Sequence, residues 1–504
     1  MVGGMNGAPG ATMIAVDGMK EHQTEVENAS IDSEEALGTE EDSKYNRRVN
    51  RKLDIYLLPI ICFIYLLGYL DRANVGNARV AGFTKDIKLT DWEYKVAITT
   101  TYVPYMLVEI PSNLLLKKIG PRRLIPFLCV SWGLVSALQC QVTSFGGFVA
   151  ARFFLGLTEG GLYPGMILYL SSFYRRTELQ FRIAFFFTAV SFSGAFSGLL
   201  AAAIGQLNGN GGLRGWQWIF LIEGVITIGV GLIAFFILPN TPAQVRLLSE
   251  EEKLYCMRRL EKESNSFGTE KVTIKAVLSV AKDLHVWILL AINLCAAVLG
   301  FGLSVFGPSI VKALGYSPTV TQLLTVPPYA CAFIVTILAA LGSDRYQARG
   351  FALNITLVFA IVGAVMMYKA RGFAARYTGI CILFTGAYAM APCGLSWLPN
   401  NAAGYTRRAT AIALMAMFTS IGGIISTWIY PTSDAPYYPL GAKFDLSVAC
   451  IAQGLTVCEL LWLRRLNRIK EERPETLLKG IEHLSEDEQF KMLGDHHPRY
   501  KYIY

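Results

Sequence analysis

Charged residues are scarce in this sequence. Asp, Glu, Lys and Arg make up 17% of its 504 residues, whereas they make up about 25% of a typical soluble domain. Hydrophobic residues reach 53%, and the mean hydropathy of +0.39 indicates that this excess extends beyond one buried core. A soluble chain of this length would form several domains, each with its own polar surface. The composition therefore excludes a soluble enzyme, a nucleic-acid-binding module and a disordered scaffold, and it predicts an integral membrane protein.

Residues that carry metal or nucleophilic chemistry are also few. The sequence has five histidines, and its ten cysteines form no Cys-x-x-Cys pair. Nine of the cysteines lie in apolar stretches, where cysteine behaves as a small hydrophobic residue. Because there is no nucleophile–base pair and no metal-ligand spacing, we expect no enzymatic activity, no cofactor and no bound metal.

The beginning of the chain is polar. Residues 1–50 lack the apolar core of a signal peptide, and residues 21–42 contain nine acidic side chains without a lysine or arginine. Low hydrophobicity combined with charge of one sign is typical of disorder. We expect residues 1–50 to form a disordered acidic leader in the cytosol.

Apolar segments recur after the leader, with the length of about 20 residues that crosses a lipid core of about 30 Å. Because a backbone inside lipid must satisfy its own polar groups, each segment is predicted to be a helix. We predict twelve spans, at residues 53–78, 93–114, 122–142, 148–173, 183–206, 216–238, 284–311, 318–341, 351–370, 374–398, 408–431 and 444–464. The fold class is thus an all-α membrane protein with two six-helix halves, residues 51–238 and 284–465. Between and after the halves lie a central loop at 239–283 and a tail at 466–504.

Lysine and arginine placement predicts the orientation. The leader flank, the connections after spans two, four, eight and ten, the central loop and residues 464–470 together hold 28 of these residues, against 11 on the other side. Positive residues favour the cytosolic side of a membrane, so we expect both termini and the central loop in the cytosol, with the plasma membrane as the default location. The net charge of +8 is then an orientation signal, and we expect no nucleic-acid partner.

Two loops carry a repeated motif, NLLLKKIGPRR at residues 113–123 and GSDRYQAR at residues 342–349. Both resemble a loop signature of the major facilitator superfamily, whose two six-helix halves surround a central site. The first copy has Lys117 where an aspartate is usual, whereas the second keeps its acid, Asp344, beside two arginines. We expect the motif residues to act as latches that change with conformational state: Lys117, Gly120, Arg122, Asp344, Arg345 and Arg349.

Five further segments narrow the resemblance. They are YLDRANVGNA at 69–78, EIPSN at 109–113, RFFLGLTE at 152–159, GWQWIFLIEG at 215–224 and TRR at 406–408. In this order they resemble the anion:cation symporter family and, within it, the fungal allantoate, nicotinate and pantothenate permease branch. The resemblance implies a monomeric transporter that carries a small organic anion together with protons across the lipid bilayer.

Ionisable residues inside the membrane are costly and are therefore candidates for function. Arg152 and Glu159 are seven residues apart, so they share one face of the fourth span. Glu159 lies roughly 17 Å along that span, near the bilayer centre. A planar guanidinium matches a carboxylate with two parallel hydrogen bonds. We hypothesise that Arg72, with Tyr69 nearby, anchors the substrate carboxylate, that Asp71 and Glu159 exchange protons, and that Arg152 is their counter-charge.

The alternative for these residues is a static network that only holds the first and fourth spans together. The remaining intramembrane acids have structural interpretations: Glu109 near a loop, Glu223 in helix packing, and Glu459 reaching towards the inner interface. The second half has no central cation, which favours a monocarboxylate over a dianion. Its side of the cavity offers polar and aromatic candidates for substrate binding: Asn293, Tyr329, Trp397 and Asn400.

Two other functions remain open from the sequence. Alternating access can run in either direction, so an exporter of an acidic metabolite has the same sequence features as an importer. A nutrient sensor that binds without transporting is the alternative of another class.

Overall fold

The computed structural model describes the backbone of residues 10–266, 280, 283–346, 348–403 and 405–504. Side chains are described from Lys44 onward, except at some helix positions. In these residues the chain forms α-helices joined by short loops and turns. The helices are α1 (Gly10–Val80), α2 (Phe83–Asp86), α3 (Asp91–Ile119), α4 (Pro121–Leu138), α5 (Phe145–Glu159), α6 (Leu162–Ser171), α7 (Arg176–Gly205), α8 (Gly215–Ile237), α9 (Glu250–Ser266), α10 (Leu284–Lys312), α11 (Pro318–Leu324), α12 (Val326–Tyr346), α13 (Arg349–Lys369), α14 (Phe373–Asn400), α15 (Tyr405–Thr427), α16 (Pro439–Glu472), α17 (Pro474–Leu478) and α18 (Glu486–Leu493).

Each predicted span falls on one helix or on two consecutive helices. Within the described residues, nine helices are long and apolar enough to cross a membrane. The other three predicted spans are the second, fourth and fifth. The second span, α3, contains Glu109 and two prolines, the fourth is divided between α5 and α6, and within α7 the described apolar stretch is Phe192–Gly205. The apolar sequence of the fifth span begins earlier, at Ile183, and α7 covers it.

Glycines at the break in the fourth span allow close packing against α3. Helix α5 ends at Glu159, and two glycines separate it from α6. A Cβ atom on Gly156 would collide with the backbone of Thr101, and one on Gly160 would collide with the backbone of Tyr105, both in α3. Small residues of this kind let membrane helices approach closely. The glycines thus hold α5 tightly against α3 and place Glu159 at the helix break.

The two halves meet through equivalent helices. Helix α1 packs against α10, α3 packs against α15, and α7 packs against α11 and α12. These contacts join span one to span seven, span two to span eleven, and span five to span eight. Such an exchange of equivalent contacts is expected when two repeats are related by an axis along the membrane normal.

The end of the helix bundle that carries the central segment and the C-terminal tail is called here the termini face, and the other end the opposite face. Helix α9 of the central segment packs against the start of the first span. The Lys52 ammonium lies 2.7 Å from the Glu252 carboxylate, and Arg259 donates a 2.9 Å hydrogen bond to the Asn50 side chain. Val49 is fully buried. The sequence predicts a disordered leader up to residue 50, whereas the backbone is helical from Gly10 and its last residues before that boundary are packed on α9.

The fold depends on close packing between α4 and α8. A Cβ atom on Gly224 would collide with the backbone of Ala137, whereas a Cβ atom on Gly229, in the same helix, has no neighbour within 4 Å. We predict that Gly224→Val destabilises the folded protein by about 1–3 kcal/mol through overpacking. Thermal unfolding of the detergent-solubilised protein measures this effect. Gly229→Val is the matched control, since it carries the same helix-propensity cost. Equal unfolding temperatures for the two variants would contradict the packing interpretation.

Candidate functional site

A cavity of about 1430 Å³ lies between the two halves. Residues of α1, α3, α5 and α6 form its wall on one side, and residues of α10, α14 and α15 form it on the other. The cavity extends to the termini face, where Arg175, Arg259 and Arg408 line it. The site is therefore accessible from the face that carries the C-terminal tail.

Contacts between the halves close the bundle at the opposite face. Arg79 in α1 lies 2.7 Å from the Asp91 carboxylate and donates a 2.9 Å hydrogen bond to Thr432, which precedes α16. Lys312 at the end of α10 donates a 2.7 Å hydrogen bond to the Val80 carbonyl. The bonds of Arg79 to Thr432 and of Lys312 to Val80 join the first half to the second, so the structure represents a conformation open to the termini face.

An ion pair between α1 and α5 lies in the cavity wall. The Arg72 Nη2 atom is 2.6 Å from the Glu159 Oε1 atom, and the two side chains are 19% and 5% exposed. Three aromatic rings surround the guanidinium, with their centroids 5.0 Å (Tyr69), 5.3 Å (Tyr105) and 5.4 Å (Phe301) from its carbon. Phe301 belongs to α10, so this charged group touches both halves.

Arg152 lies two turns before Glu159 in α5 and also lines the cavity. Its Nε and Nη2 atoms are buried and find no hydrogen-bond partner among the described residues. The guanidinium lies over the rings of Phe148 and Phe220, 5.2 and 5.9 Å from their centroids. A buried guanidinium with unpaired N–H groups is costly, which distinguishes Arg152 from the paired Arg72.

Asp71 points away from its neighbour in sequence. Its carboxylate accepts a 2.6 Å hydrogen bond from Ser136 and a 3.4 Å one from Trp132, both in α4. Among the described residues that line the cavity, Asp71 does not appear. The structure therefore separates two residues that the sequence analysis treats as one unit: Arg72 faces the cavity and Asp71 faces the packing between helices.

A further buried acid continues this polar network. Glu223 in α8 accepts a hydrogen bond from the Asn74 side chain in α1. Ser197 in α7 donates to Asn74 at 2.8 Å, and Asn77 donates to Ser197 at 2.6 Å. Glu223 thus connects helices, as the sequence analysis expects, and it does so from a fully buried position. Glu109, also expected to be structural, lines the cavity.

The structure places three of the four second-half candidates away from the cavity wall. Asn293 donates to the Met415 carbonyl and the Thr419 hydroxyl, at 3.0 and 2.9 Å. Tyr329 packs among aromatic rings of α14, and Trp397 donates to the backbone of the C-terminal tail. These positions hold helices together because polar and aromatic side chains serve packing as readily as binding. Asn400 alone of the four lines the cavity.

The sequence analysis expects Glu459 to reach the interface, and the structure corrects this. The Glu459 side chain is fully buried between α16 and α10, where it is hydrogen-bonded to the His285 imidazole. Because His285 is a hydrogen-bond partner inside the bundle, the Glu459 carboxylate does not need to reach the interface.

Parts of both loop motifs contact neighbouring segments. Gly120 adopts a φ of 91°, a value that favours glycine, and the Arg122 backbone N–H donates to the Asn240 side chain at 3.1 Å. In the second motif, Arg349 donates to Ser396, a cavity-lining residue of α14, and Arg345 is exposed. The side chains of Lys117 and Asp344 lie outside the described residues.

Several cavity residues escape sequence reasoning. Tyr105 and Phe301 contact Arg72, yet each lies in an apolar run that gives no signal of its role. Arg408 is counted from the sequence as a loop charge, although it lines the cavity. The TRR segment at 406–408 is the one sequence feature that points to it.

Comparisons with known proteins agree with this architecture. Residues 61–427 match the family described as Major Facilitator Superfamily. The chain is 34% identical to an uncharacterized transporter of Schizosaccharomyces pombe over 455 residues, covering 90% of this chain and 91% of that protein. It is 31% identical to the high-affinity nicotinic acid transporter of Saccharomyces cerevisiae over 499 residues, covering 96% of this chain and 92% of that protein.

Solved structures share the fold at low sequence identity. The structure of a proton:xylose symporter bound to 6-bromo-6-deoxy-D-glucose matches with a TM-score of 0.64 at 15% identity, covering 82% of this chain and 96% of that one. An inward-facing, occupied bacterial homologue of the human lysosomal transporter Spinster matches with a TM-score of 0.62 at 15% identity, covering 80% and 96%. The relatives are transporters and not enzymes, and the expected helical fold is confirmed. The chain belongs to the major facilitator superfamily and is a multi-pass membrane transporter.

Proposed function

We propose that this protein is a proton-coupled symporter of a small organic monoanion, and that the Arg72–Glu159 ion pair is its coupling site. The observation that supports this most directly is the 2.6 Å pair in the cavity wall, in contact with both halves. The pair sits where a solute that enters from the termini face would meet it.

Charge compensation at the ion pair links the proton to the substrate. Removing one partner of a buried ion pair leaves an uncompensated charge and is strongly unfavourable. A substrate carboxylate can therefore take the place of Glu159 beside Arg72 only if Glu159 is neutralised, and a proton is the available means. The proton and the anion together add no net charge to the site. Binding of one then favours binding of the other, which is the requirement for symport.

The surroundings of Arg72 support a small monocarboxylate. Arg152 offers further N–H groups on the same wall, and the rings of Tyr69, Tyr105 and Phe301 favour a flat, unsaturated solute. The described middle part of the C-half wall is formed by uncharged residues such as Phe301 and Val305. The name of one relative, a nicotinic acid transporter, is consistent with a ring that carries one carboxylate.

The orientation follows from the positive charges predicted at the termini face. We propose that this face is cytosolic, that the protein acts as a monomer in the plasma membrane, and that the described conformation is inward-open. The finer placement within the anion:cation symporter family belongs to the same proposal.

We predict that Arg72→Lys raises the KM for uptake roughly 10- to 100-fold, because an ammonium cannot replace the paired hydrogen bonds of a guanidinium. Uptake by cells with equal surface expression measures this effect. In the unaltered protein, small monocarboxylates should compete with the transported solute for uptake, whereas the corresponding amides should not compete. Arg468→Lys is the matched control, since Arg468 forms an exposed pair with Glu472. Competition only by neutral or cationic solutes would contradict the anchor role.

We predict that Glu159→Gln abolishes pH-driven accumulation while it preserves substrate exchange between the two sides. Glutamine imitates the protonated acid, so Arg72 stays available for the substrate but no proton moves with it. The measurement compares accumulation under an inward proton gradient with exchange at equal pH in proteoliposomes. Asp71→Asn is the matched control within the same network, and it should retain gradient-driven accumulation. Accumulation by Glu159→Gln at the level of the unaltered protein would refute the coupling role.

A further inference from the structure

The last residues of the chain fold back onto the second half and are bound there through their backbone. Asn401 donates to the Ile503 carbonyl at 2.9 Å and accepts from the Ile503 N–H at 2.8 Å. Asn467 forms the same pair of bonds with the backbone of Tyr502, both at 2.9 Å. Trp397 donates a second bond to the Ile503 carbonyl, at 2.9 Å. Two asparagines that each pair with both backbone groups of one residue fix the position of the segment.

Charged groups anchor the beginning of the same segment, residues 494–504, which we call the docked tail. Lys470 donates to the carbonyls of Asp495 and Tyr500, at 2.5 and 2.8 Å. Arg407 lies 3.0 Å from the Asp495 carboxylate and also pairs with Asp283. Asp283 is half-buried, which opposes its ionisation, but the hydrogen bond from His496 and the charge of Arg407 hold its pKa below the usual range. The Asp283 carboxylate is therefore ionised at neutral pH.

The side chains of the docked tail differ in their surroundings. Tyr500 and Ile503 line the cavity, and the Tyr500 hydroxyl donates to the Asn400 carbonyl at 2.6 Å. Lys501, between them, lies 2.9 Å from Glu471, with side chains 71% and 60% exposed. Phe490, in α18 just before the tail, lines the cavity as well. The tail thus presents one face to the solute path.

The other side of the cavity at this level belongs to the first half. Arg259 of α9 lines the cavity and is held by Asn46 and Asn50 of α1 at 2.5 and 2.9 Å. The cavity mouth at the termini face is therefore bounded by α9 on one half and by the docked tail on the other, in addition to the membrane helices.

We propose that the docked tail is a fixed wall of the cavity mouth and limits the size of the solutes that pass the termini face. Ordering eleven residues costs conformational entropy of about 1 kcal/mol or more per residue, and the backbone clamps offset that cost only at this one position. The tail carries apolar and aromatic side chains into the mouth, where helix ends alone would leave a wider opening. This role is independent of which anion is carried, because it concerns access to the cavity.

The test measures access without any substrate. Ala416 in α15 lines the cavity, and Ala416→Cys gives a thiol there. Purified full-length protein in lipid nanodiscs is treated with a small methanethiosulfonate or with a bulky maleimide, and modification of residue 416 is followed by peptide mass spectrometry. We expect the double variant Tyr500→Ala/Ile503→Ala to raise the ratio of bulky to small reagent rates roughly tenfold, because thiol modification depends on access. Ile503→Ala alone keeps the backbone clamps and should raise the ratio by a smaller factor.

Lys501→Ala is the matched control, since it changes the solvent side of the same segment and should leave the ratio unchanged. An unchanged ratio in the double variant would overturn the proposal, as would an equal increase in Lys501→Ala. If the double variant does not fold, Ile503→Ala decides the question by the same criterion. Because no transport is measured, this result is separate from the outcome of the substrate and proton experiments.

Discussion

The organisation of the first half depends on compensating a few charges that lie largely buried among its helices. Arg72, Arg152 and Glu159 lie within the cavity wall, and Asp71 and Glu223 lie just behind it. Each ion left without a partner at this depth is costly. The structure meets that requirement with one ion pair, with hydrogen bonds from α4 to Asp71 and with aromatic faces beside both arginines. The compensation is incomplete at Arg152, whose Nε and Nη2 atoms have no hydrogen-bond partner among the described residues, and the proposed preference for an anion rests on this.

Helix packing places these charges with little freedom. The glycines of α5 bring it against α3, and the break after Glu159 ends the helix at the ion pair. On the other side of the pair, Phe301 links the charge to α10 in the second half. A change in the charge at Glu159 therefore acts on an interface between halves, which is where an alternating-access transporter must respond.

Hydropathy predicted a helical membrane protein with twelve spans around a central polar connection, and the two loop motifs selected the major facilitator fold among the folds with twelve spans. The same reasoning found Arg72, Arg152 and Glu159, since an ionisable residue in an apolar run is conspicuous. It could not assign their partners: Asp71 and Arg72 are adjacent in sequence but point to different helices. Trp397, Asn293 and Tyr329 were chosen by residue type, and type does not distinguish a cavity wall from a helix contact. The docked tail was beyond prediction because its two asparagine clamps bind backbone groups that any sequence carries.

The central claim is that a proton on Glu159 releases Arg72 to the substrate, so binding alone must take up protons. A pH indicator in weakly buffered solution can follow the purified protein as the carboxylate identified by competition is added. The account predicts uptake of about one proton per bound anion near neutral pH, and no uptake in Glu159→Gln at saturating substrate. Binding without proton uptake by the unaltered protein would contradict it.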